Sequence, residues 1–402
     1  MSVSINRLEE GFQVNDLKKQ NSWEIIFVGI SVLCLIVAID MMTNTFDINK
    51  HAWDFKYYIA FAEDGFGMKD LISPVAYRYM TPFLASGVHH LFGIAIPESF
   101  KVLAYIGLWL QLMGIFLFVK YYTKSLMGAI SATLITAFSA INVKFLLFDP
   151  YRPDLFAYFI VIIAVYLAFN KKVLWLMVVT AIGLQFREFT LIPLVAYFAS
   201  LVLHKEWDTL KKYSLLFMLT IIISVGLPRM LIPITESYQY ARSIGDLIAI
   251  PLDWWRDFNW LYTIIIYFLP MFILLTPDRI KIIRAKMPPK HFTFLMIYTL
   301  LVALLSMYGG TDLARFTTYL FVPQIIFVGY LSIQASKIEL LYMFIAVFWF
   351  NKIDTDIPVG DVNWYGGYAN IVTHGTYMHL FWMAILIVMA IILRKILQKI
   401  DF

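Results

Sequence analysis

The residues of this chain that could do chemistry are charged side chains that lie beside long apolar segments. A charge at membrane depth costs about 2.5–3.5 kcal/mol on insertion scales, so a charge that is kept there needs a structural or functional reason. Carboxylates can take protons as general bases, and guanidinium groups fit the oxygens of phosphates. The candidates are Asp54, Arg78, Asp149, Arg152, Asp154, Arg187, Glu188, Asp312 and Arg315.

Asp54 is the predicted general base. At helical spacing, the neighbouring Trp53, Tyr57 and Phe61 share one face, which is typical of a helix that lies flat in a membrane interface with its aromatic side down. Tyr58 lies beside this face and is a candidate substrate contact. A carboxylate at the interface can take a proton from an acceptor hydroxyl as that oxygen attacks. The alternative is an exposed charge on the polar side of the same helix.

Arg78 lies in a Tyr-Arg-Tyr-Met-Thr-Pro run and could hold a phosphate or pyrophosphate, because the guanidinium fork fits these oxygens. The alternative is an arginine that anchors the chain at the interface. Pro74 and Pro82 bias their predecessors away from helix, so the segment between them is predicted to be extended. Thr81 is the predicted N-cap of a short helix that ends at about Phe92.

Arg187 and Glu188 interrupt an apolar run that extends from residue 173 to residue 203. The two charges could be structural, each neutralised by its neighbours. Arg187 could equally face a lipid phosphate from inside a helical bundle. The second interpretation is favoured, because an arginine exposed to lipid there would be costly.

Two further sites carry paired charges. Arg315 follows Asp312 by three residues where an apolar segment begins, so it could form a helical i,i+3 pair or bind a ligand. Arg152 and Asp154 belong to an Asp-Pro-Tyr-Arg-Pro-Asp turn that starts at Asp149. The acids of this turn could position a substrate or a divalent cation, although a tight proline-braced turn alone also explains them.

The sequence gives no sign of a bound metal or cofactor. The seven histidines show no metal-ligand spacing, and His89 and His90 are adjacent, so they point to different faces of a helix. No phosphate loop or dinucleotide-binding fingerprint is present. We therefore predict no resident metal or cofactor, no nucleic-acid partner and no binding place for a water-soluble donor such as a nucleotide sugar.

Composition places the candidate residues in a membrane protein. Of the 402 residues, 61% are apolar and only 15% are charged, and the mean hydropathy is +0.74. Apolar runs of about 15 to 25 residues recur along the whole chain, which is typical of a polytopic helical membrane protein and excludes a soluble one. Residues 1–402 are predicted to form a single transmembrane domain.

The apolar runs predict an all-α fold with about 12 transmembrane helices. The run 173–203 is too long for one crossing at about 20 residues, so it is divided into two short helices at Arg187 and Glu188. The predicted spans are 24–42, 99–119, 126–147, 155–169, 173–186, 189–203, 214–233, 259–276, 292–308, 316–333, 339–351 and 380–393.

The distribution of charge predicts the orientation. With these spans, most of the 32 basic residues lie on the side of the two termini, which indicates that both termini are cytoplasmic. Residues 1–23 then form a cytoplasmic tail. Four longer segments face outward, namely 43–98, 149–154, 234–258 and 352–379, and the first of them is expected to carry interfacial helices.

These features resemble the GT-C superfamily of integral-membrane glycosyltransferases. The resemblance covers most of the chain as topology and a few residues as motif. The matching positions are Trp53, Asp54, Phe55, Tyr57, Tyr58 and Ala60, the run from Tyr77 to Pro82, the break at Arg187 and Glu188, and Asp312 and Arg315 ahead of Pro323. The superfamily usually has two adjacent acids in the first outer loop. Here Asp47 precedes Asp54 by seven residues, so Asp47 is the alternative base.

The resemblance implies an inverting transfer of a sugar from a polyprenyl-phosphate donor of the undecaprenyl or dolichyl type. The acceptor would be a glycan, a lipid or a protein on the extracytoplasmic side. Asp54 would take the acceptor proton, and arginines would stabilise the departing phosphate. The expected substrate contacts are Arg78, Tyr58, Arg187, Glu188, Arg315, Asp154 and Arg152. The donor's lipid tail would lie between spans, among membrane lipids, and a bacterial inner membrane is the expected location.

Two other functions fit part of the pattern. A polysaccharide polymerase or ligase also acts on lipid-linked glycans through outward arginines, and it would use a large late loop, for which 352–379 is the candidate. A flippase or other transporter should carry charged or broken segments at mid-bilayer in two related halves. No such halves are evident in this sequence.

Overall fold

The computed structural model describes residues 22–48, 54–68, 71–237, 254–307, 313–357 and 374–400. These residues are almost entirely helical, so the all-α prediction is confirmed for them. The α-helices are α1 (Ser22–Met41), α2 (Phe55–Asp64), α3 (Met80–Phe92), α4 (Ile96–Thr123), α5 (Leu126–Ala137), α6 (Phe145–Phe148), α7 (Asp154–Phe169), α8 (Val173–Gly183), α9 (Ile192–Leu203), α10 (Trp207–Ile221), α11 (Leu227–Leu231), α12 (Trp254–Tyr267), α13 (Leu269–Leu274), α14 (Pro277–Lys286), α15 (Pro289–Met307), α16 (Leu313–Thr317), α17 (Phe321–Leu331), α18 (Lys337–Phe350) and α19 (His374–Ile400).

Shorter elements connect these helices. The 3₁₀ turns are Gly65–Gly67, Val75–Tyr77, Glu188–Leu191, Thr318–Leu320 and Ser332–Gln334, and the π-helical segments are Ala140–Lys144 and Ile222–Gly226. Two strands, β1 (Ile72–Ser73) and β2 (Glu236–Ser237), pair in parallel. Both π-helical segments lie inside apolar runs, and in proteins such segments often accompany functional sites.

Within the described residues, six helices are long and apolar enough to cross a membrane. They are Trp23–Met41, Ile96–Thr123, Trp207–Leu231, Pro289–Met307, Arg315–Gln334 and Met378–Lys399. A seventh crossing results if the pair Leu126–Ala137 and Ala140–Phe148, bent by 64°, counts as one span. The helices Asp154–Phe169, Val173–Gly183 and Glu188–Leu203 are apolar but shorter. The chain thus has the helices of a multi-pass membrane protein, whereas the number of 12 crossings stays a prediction.

The first helix is attached to α4 at both of its ends. Near one end, the ammonium of Lys101 lies 2.5 Å from the carboxylate of Asp40, and near the other that of Lys120 lies 2.5 Å from Glu24. Between them, the indole of Trp109 donates a hydrogen bond of 2.9 Å to a carbonyl of α1. Much of α1 is otherwise exposed, as expected for a helix that faces lipid on its remaining sides.

Small residues let the central helices approach closely. A methyl group added at Gly128 of α5 would lie 2.5 Å from the carbonyl oxygen of Gly329 in α17. A methyl group at Gly107 of α4 would lie 2.6 Å from the carbonyl oxygen of Leu155 in α7. Close backbone contact of this kind drives helix association in membranes, where the hydrophobic effect between helices is absent. The contacts place α4, α5, α7 and α17 at the centre of the bundle.

A buried ion triad joins the ends of α13, α14, α18 and α19. The carboxylate of Glu339 accepts hydrogen bonds from Arg279 at 2.8 Å and from Arg394 at 2.8 Å. The same two arginines donate to backbone carbonyls at the end of α13, namely those of Leu274 and Ile273, at 2.8 Å each. The triad therefore satisfies helix-end carbonyls that would otherwise lack partners.

The predicted break inside the run 173–203 is present. The helix α8 ends at Gly183, Arg187 is extended with φ −159° and ψ 138°, and a 3₁₀ turn begins at Glu188 before α9. At about 1.5 Å per residue, neither α8 nor α9 alone is long enough for a hydrocarbon core of about 30 Å. The two helices therefore bring the residues between them into the protein.

The predicted orientation of the first interfacial helix was wrong. The side chain of Phe61, predicted to face lipid, is fully buried, and α2 packs against α3 with Phe55 and Tyr58 also inward. Trp53 lies outside the described residues. Helix α3 shows the expected character instead, because Leu91 and Phe92 are 79% and 73% exposed.

The entry into α3 also differs from the prediction. Its N-cap is Tyr79 rather than Thr81, and the preceding segment contains the 3₁₀ turn Val75–Tyr77 rather than an entirely extended chain. The turn forms after Pro74, whose φ of −93° and ψ of 1° suit a turn better than a strand. Local proline preferences therefore located the start of α3 to within two residues but missed the turn before it.

Two contacts join loops that are distant in sequence. The backbone N–H of Thr235 donates to the carbonyl of Leu71 at 2.9 Å, next to the β1–β2 pair. The side-chain amide of Asn44 donates to the carbonyl of Ile357 at 2.6 Å and accepts from its N–H at 2.8 Å. The start of the first long loop is thus tied to the start of the late one. The tail 1–23, apart from its last two residues, and most of 352–379 lie outside the described residues.

At the C-terminal ends of several helices, a lysine adopts the left-handed backbone conformation, with positive φ. Lys124, Lys171, Lys205 and Lys352 have φ between 50° and 56°. Glycine is the usual residue there, because a Cβ in this region costs roughly 1–2 kcal/mol. Each of these lysines places a cation at a helix C-terminus, where the helix dipole favours positive charge.

We expect Lys171→Gly to raise the free energy of unfolding by about 1 kcal/mol, because it relieves the left-handed strain. The matched control is Lys172→Gly, which removes the same charge at a neighbouring exposed position where φ is −86°. Thermal unfolding of both variants in the same detergent measures the difference. Equal shifts in melting temperature for the two variants would contradict the strain argument.

Candidate active site

The carboxylate of Asp154, the first residue of α7, lies at the centre of a buried group of charges. Its Oδ2 is 2.6 Å from Nη2 and 2.8 Å from Nε of Arg315. Its Oδ1 is 3.2 Å from Nε of Arg187 and accepts a hydrogen bond of 3.2 Å from the hydroxyl of Tyr319. Asp154 and Arg187 are both 0% exposed. One acid thus fixes two arginines that come from separate parts of the chain.

Arg78 and Glu188 form a second pair beside the first. Nη2 of Arg78 lies 3.0 Å from Oε2 of Glu188, and Nε lies 3.1 Å from the same oxygen. Because Arg187 is extended, its side chain and that of Glu188 point to opposite sides of the backbone. The break between α8 and α9 therefore directs Arg187 to Asp154 and Glu188 to Arg78. Burial alone would lower the pKa of Arg78, but Glu188 and Tyr58 raise it above its ordinary value, so the guanidinium stays charged.

The turn before α7 adds a third pair. Nε of Arg152 lies 2.7 Å from Oδ2 of Asp149, and its guanidinium lies 4.4 Å above the ring of Phe145. Burial raises the pKa of Asp149, against the opposing attraction of Arg152 and Arg315. Arg152 also acts electrostatically on Asp154, so the three pairs form one cluster. We call Arg78, Arg152, Arg187 and Arg315, with Asp149, Asp154 and Glu188, the arginine cluster.

The arginine cluster carries more positive than negative charge. It has four guanidinium groups and three carboxylates, and Arg78 and Arg315 both lie close enough to repel Arg187. Within the described residues, Nε and Nη1 of Arg187 are buried and have no hydrogen-bond acceptor, since the geometry of the contact to Asp154 is that of an ion pair only. Buried donors normally have partners, and each exception requires an explanation. An anion with several oxygens would supply the missing acceptors.

Aromatic rings cover the inner side of Arg187. Its guanidinium lies 5.2 Å from the ring of Phe316, and Phe189 stacks on both Phe316 and Tyr319 with centroid distances of 5.2 Å and 4.9 Å. Tyr319 was missed in the sequence. The spacing i,i+4 from Arg315 is the signal that could have found it, because such residues share one side of a helix.

Helix α2 brings Tyr58 to the cluster, and Asp54 is the N-cap residue of this helix. Tyr58 is 4% exposed and acts electrostatically on Arg78. The ring of Phe55 lies 5.7 Å from that of Tyr151, so the first turn of α2 packs on the turn that carries Arg152. Asp54 precedes Tyr58 by one helical turn, is exposed, and makes no side-chain cap to its own helix.

Among the predicted site residues, Arg78 contacts Glu188, and Asp154 contacts both Arg187 and Arg315. Arg152 acts electrostatically on Asp154, and Tyr58 acts electrostatically on Arg78. None of these contacts includes Asp54, which is exposed. Asp312 lies outside the described residues, so its predicted pairing with Arg315 stays a prediction. The alternative base, Asp47, is half-buried.

A cavity of about 200 Å³ opens beside Glu188. Its wall is mostly apolar and includes the second π-helical segment and α11, and the guanidinium of Arg229 at its edge lies 4.7 Å from the ring of Tyr77. The lining residues are Tyr77, Leu184, Glu188, Leu191, Ser224, Val225, Pro228 and Arg229. The cavity thus connects a largely exposed apolar helix with an ion pair of the arginine cluster.

Among the described residues, no group of three or more His, Cys, Asp or Glu side chains could hold a metal ion. The carboxylates of the cluster are each paired with an arginine. Comparison with protein-family models, with curated proteins and with solved structures found no match to this chain. The chemistry of the arginine cluster therefore has to be argued from its own geometry.

We expect Asp154→Asn to destabilise the protein by about 3–5 kcal/mol, because it leaves Arg187 and Arg315 buried without a counter-charge. Asp149→Asn is the matched control and should cost clearly less, since burial already raises the pKa of Asp149 and so favours its neutral form. Thermal unfolding in detergent, followed by size-exclusion chromatography, compares the two. A loss at Asp149 as large as that at Asp154 would contradict the central role of Asp154.

Proposed function

We propose that this protein is a membrane-embedded inverting glycosyltransferase. It would move a sugar from a polyprenyl-phosphate carrier to an acceptor at the membrane face that holds the arginine cluster. The observation that carries the proposal is the buried guanidinium of Arg187, in which Nε and Nη1 lack a hydrogen-bond acceptor among the described residues, in a cluster of net positive charge. The GT-C-like fold with about 12 spans and the cytoplasmic position of both termini are part of the same proposal.

The arginine cluster suits a phosphate that gains charge during the reaction. Guanidinium groups donate two parallel hydrogen bonds to phosphate oxygens, and interactions with charge are strong in a site that excludes water. When the bond between the anomeric carbon and the phosphate oxygen breaks, the electron pair goes to the phosphate. Arg78, Arg187 and Arg315, held by Glu188 and Asp154, would stabilise that charge without having to reorganise.

The cavity beside Glu188 supports a lipid carrier rather than a water-soluble donor. Its wall combines apolar side chains from the break between α8 and α9, from the second π-helical segment and from α11 with a charged end at the Arg78–Glu188 pair. An amphiphile with a hydrocarbon chain and an anionic head would match both parts. The helix that forms one wall is largely exposed, so such a lipid could enter from the bilayer.

Asp54 fits the role of base better than the acids of the cluster. Asp154 and Glu188 are paired with arginines, which favours their charged forms and makes them poor proton acceptors. Asp149 is buried and is held by Arg152 at 2.7 Å. Asp54 is exposed at the start of α2, next to the turn that carries Arg152. In the proposed reaction it takes the proton of the acceptor hydroxyl as that oxygen attacks the anomeric carbon from the side opposite the phosphate, which inverts the configuration. Asp47 is the alternative.

The proposal is tested by incubating the purified protein in nanodiscs with a panel of polyprenyl-phosphate sugars and candidate acceptors. The expected result is release of the free lipid phosphate together with glycosylated acceptor. A polymerase or ligase would instead require lipid-linked glycans, and a flippase would move the lipid without releasing phosphate. Release of no lipid phosphate from any donor, by protein that binds the same donors, would overturn the proposal.

We expect Asp54→Asn to lower the rate of transfer by roughly 10²–10⁴-fold while donor binding is kept, because only proton transfer is lost. Asp64→Asn, at the other end of α2, removes another exposed acid and should leave the rate unchanged. Single-turnover kinetics with the active donor compares the two variants. Unchanged turnover in Asp54→Asn would remove Asp54 from the mechanism and direct attention to Asp47.

We expect Arg78→Ala to weaken use of the donor more than use of the acceptor, because Arg78 would contact the donor phosphate. The measurement is the apparent KM for each substrate at saturating concentration of the other. Arg284→Ala, at an exposed position of α14, is the control for loss of a guanidinium. Equal changes in both KM values would argue against a phosphate contact.

A further inference from the structure

Basic side chains are concentrated around the buried ion triad of Arg279, Glu339 and Arg394. The helix α14, the first turn of α18 and residues 392–400 of α19 together contain eight basic residues and two acids. The triad holds these three segments together, because the carboxylate of Glu339 accepts hydrogen bonds of 2.8 Å from both arginines. Their positive charge is therefore gathered in one region of the surface.

This region and the arginine cluster lie at opposite ends of one spanning helix. The helix Arg315–Gln334 has 20 residues and is apolar enough to cross a membrane. At its start, Arg315 lies 2.6 Å from Asp154, and at its end the carbonyl of Gln334 accepts a hydrogen bond of 3.2 Å from Arg279. At about 1.5 Å per residue, such a helix covers about 30 Å, which is the thickness of the hydrocarbon core. The triad thus belongs to the membrane face opposite to the arginine cluster.

Four of the five lysines in these segments are exposed and have no ion-pair partner among the described residues. The fifth, Lys281, is paired with Asp278 at 3.0 Å, and in the neighbouring helix α15 Lys290 is paired with Glu206 at 2.8 Å. Since Glu339 is committed to the triad, the three segments contain no further acid that could pair with the four lysines. We call these lysines the basic rim, and they are Lys286, Lys337, Lys395 and Lys399.

Exposed apolar side chains lie next to the basic rim on the same helices. Ile338, which follows Lys337 in α18, is about half exposed. Ile392 and Ile396, on either side of Lys395 in α19, are also about half exposed. A ligand that covers this surface must offer hydrocarbon and negative charge side by side. An anionic phospholipid has both, whereas a soluble acidic protein would match only the charge.

We propose that the basic rim binds the phosphate groups of anionic phospholipids in the leaflet opposite to the arginine cluster. Ammonium groups bind phosphate as point charges, and each basic residue near an anionic bilayer raises the affinity by about fivefold. Lys286, Lys337 and Lys395 come from three helices, so lipids bound along the rim contact all the elements that the triad joins. The acyl chains would lie along the exposed isoleucines of α18 and α19.

Native mass spectrometry of the delipidated protein, titrated with phosphatidylglycerol or with phosphatidylcholine, tests the proposal. We expect phosphatidylglycerol to bind roughly tenfold more tightly, because only its headgroup carries a net negative charge. Glycerol phosphate, which has the anion without the acyl chains, should bind more weakly than phosphatidylglycerol. Equal affinities for the two lipids, or for phosphatidylglycerol and glycerol phosphate, would overturn the proposal.

Two matched double variants separate the basic rim from the general positive charge of this membrane face. Lys337→Gln with Lys395→Gln should weaken phosphatidylglycerol binding roughly 25-fold, about fivefold for each charge. Lys211→Gln with Lys212→Gln removes two exposed lysines of α10, which packs on α8 and α9. This control should change the affinity by no more than about twofold, because distant surface charges are screened by salt. Equal losses in both variants would indicate an unspecific attraction and would contradict the proposal.

A conservative variant distinguishes loss of charge from loss of structure. Lys337→Arg with Lys395→Arg keeps both charges and should bind phosphatidylglycerol as tightly as the unchanged protein. A loss of binding as large as that of the glutamine variant would show that charge is not the cause, and the proposal would fail. Because the measurement uses binding alone, it decides on the basic rim whether or not the protein transfers a sugar.

Discussion

The ion pairs of Asp154 are the interaction on which the geometry of the arginine cluster depends. One carboxylate at the start of α7 holds Arg187, from the break between α8 and α9, and Arg315, from α16. Two guanidinium groups that bind the same carboxylate repel each other, and in a site that excludes water only this shared counter-charge keeps them together. Since Asp154 is buried and committed to these contacts, its role in the proposed reaction is to position arginines rather than to move protons.

Short helices make this arrangement possible. A helix that crosses the whole bilayer keeps its ends, and therefore its charges, at the membrane surface. Because α7, α8 and α9 are shorter than the spanning helices, residues at their ends enter the protein interior while the apolar parts remain packed. The extended residue at the break then distributes two adjacent charges to different partners. The cluster is thus a consequence of helix length as much as of residue type.

The sequence predicted the parts of this site but not their pairing. Hydropathy placed the helices, and the interruption by Arg187 and Glu188 indicated the break, because charges inside an apolar run leave few alternatives. The sequence could not show that Arg187 pairs with Asp154 instead of with its neighbour Glu188, because this pairing depends on the extended backbone at Arg187. The buried face of α2 was also missed, because an aromatic side suits lipid and protein equally well.

The distance along the chain between Asp154 and Arg315 has a consequence for biosynthesis. The two residues are 161 positions apart, so the ribosome completes α7, α8 and α9 well before α16 emerges. Until then, Asp154 and Arg187 are in place without the second guanidinium that Asp154 binds in the folded protein. The ion pairs of Asp154 can therefore be completed only after α16 has been synthesised, so a chain that ends before Arg315 lacks one of the two guanidinium partners of Asp154.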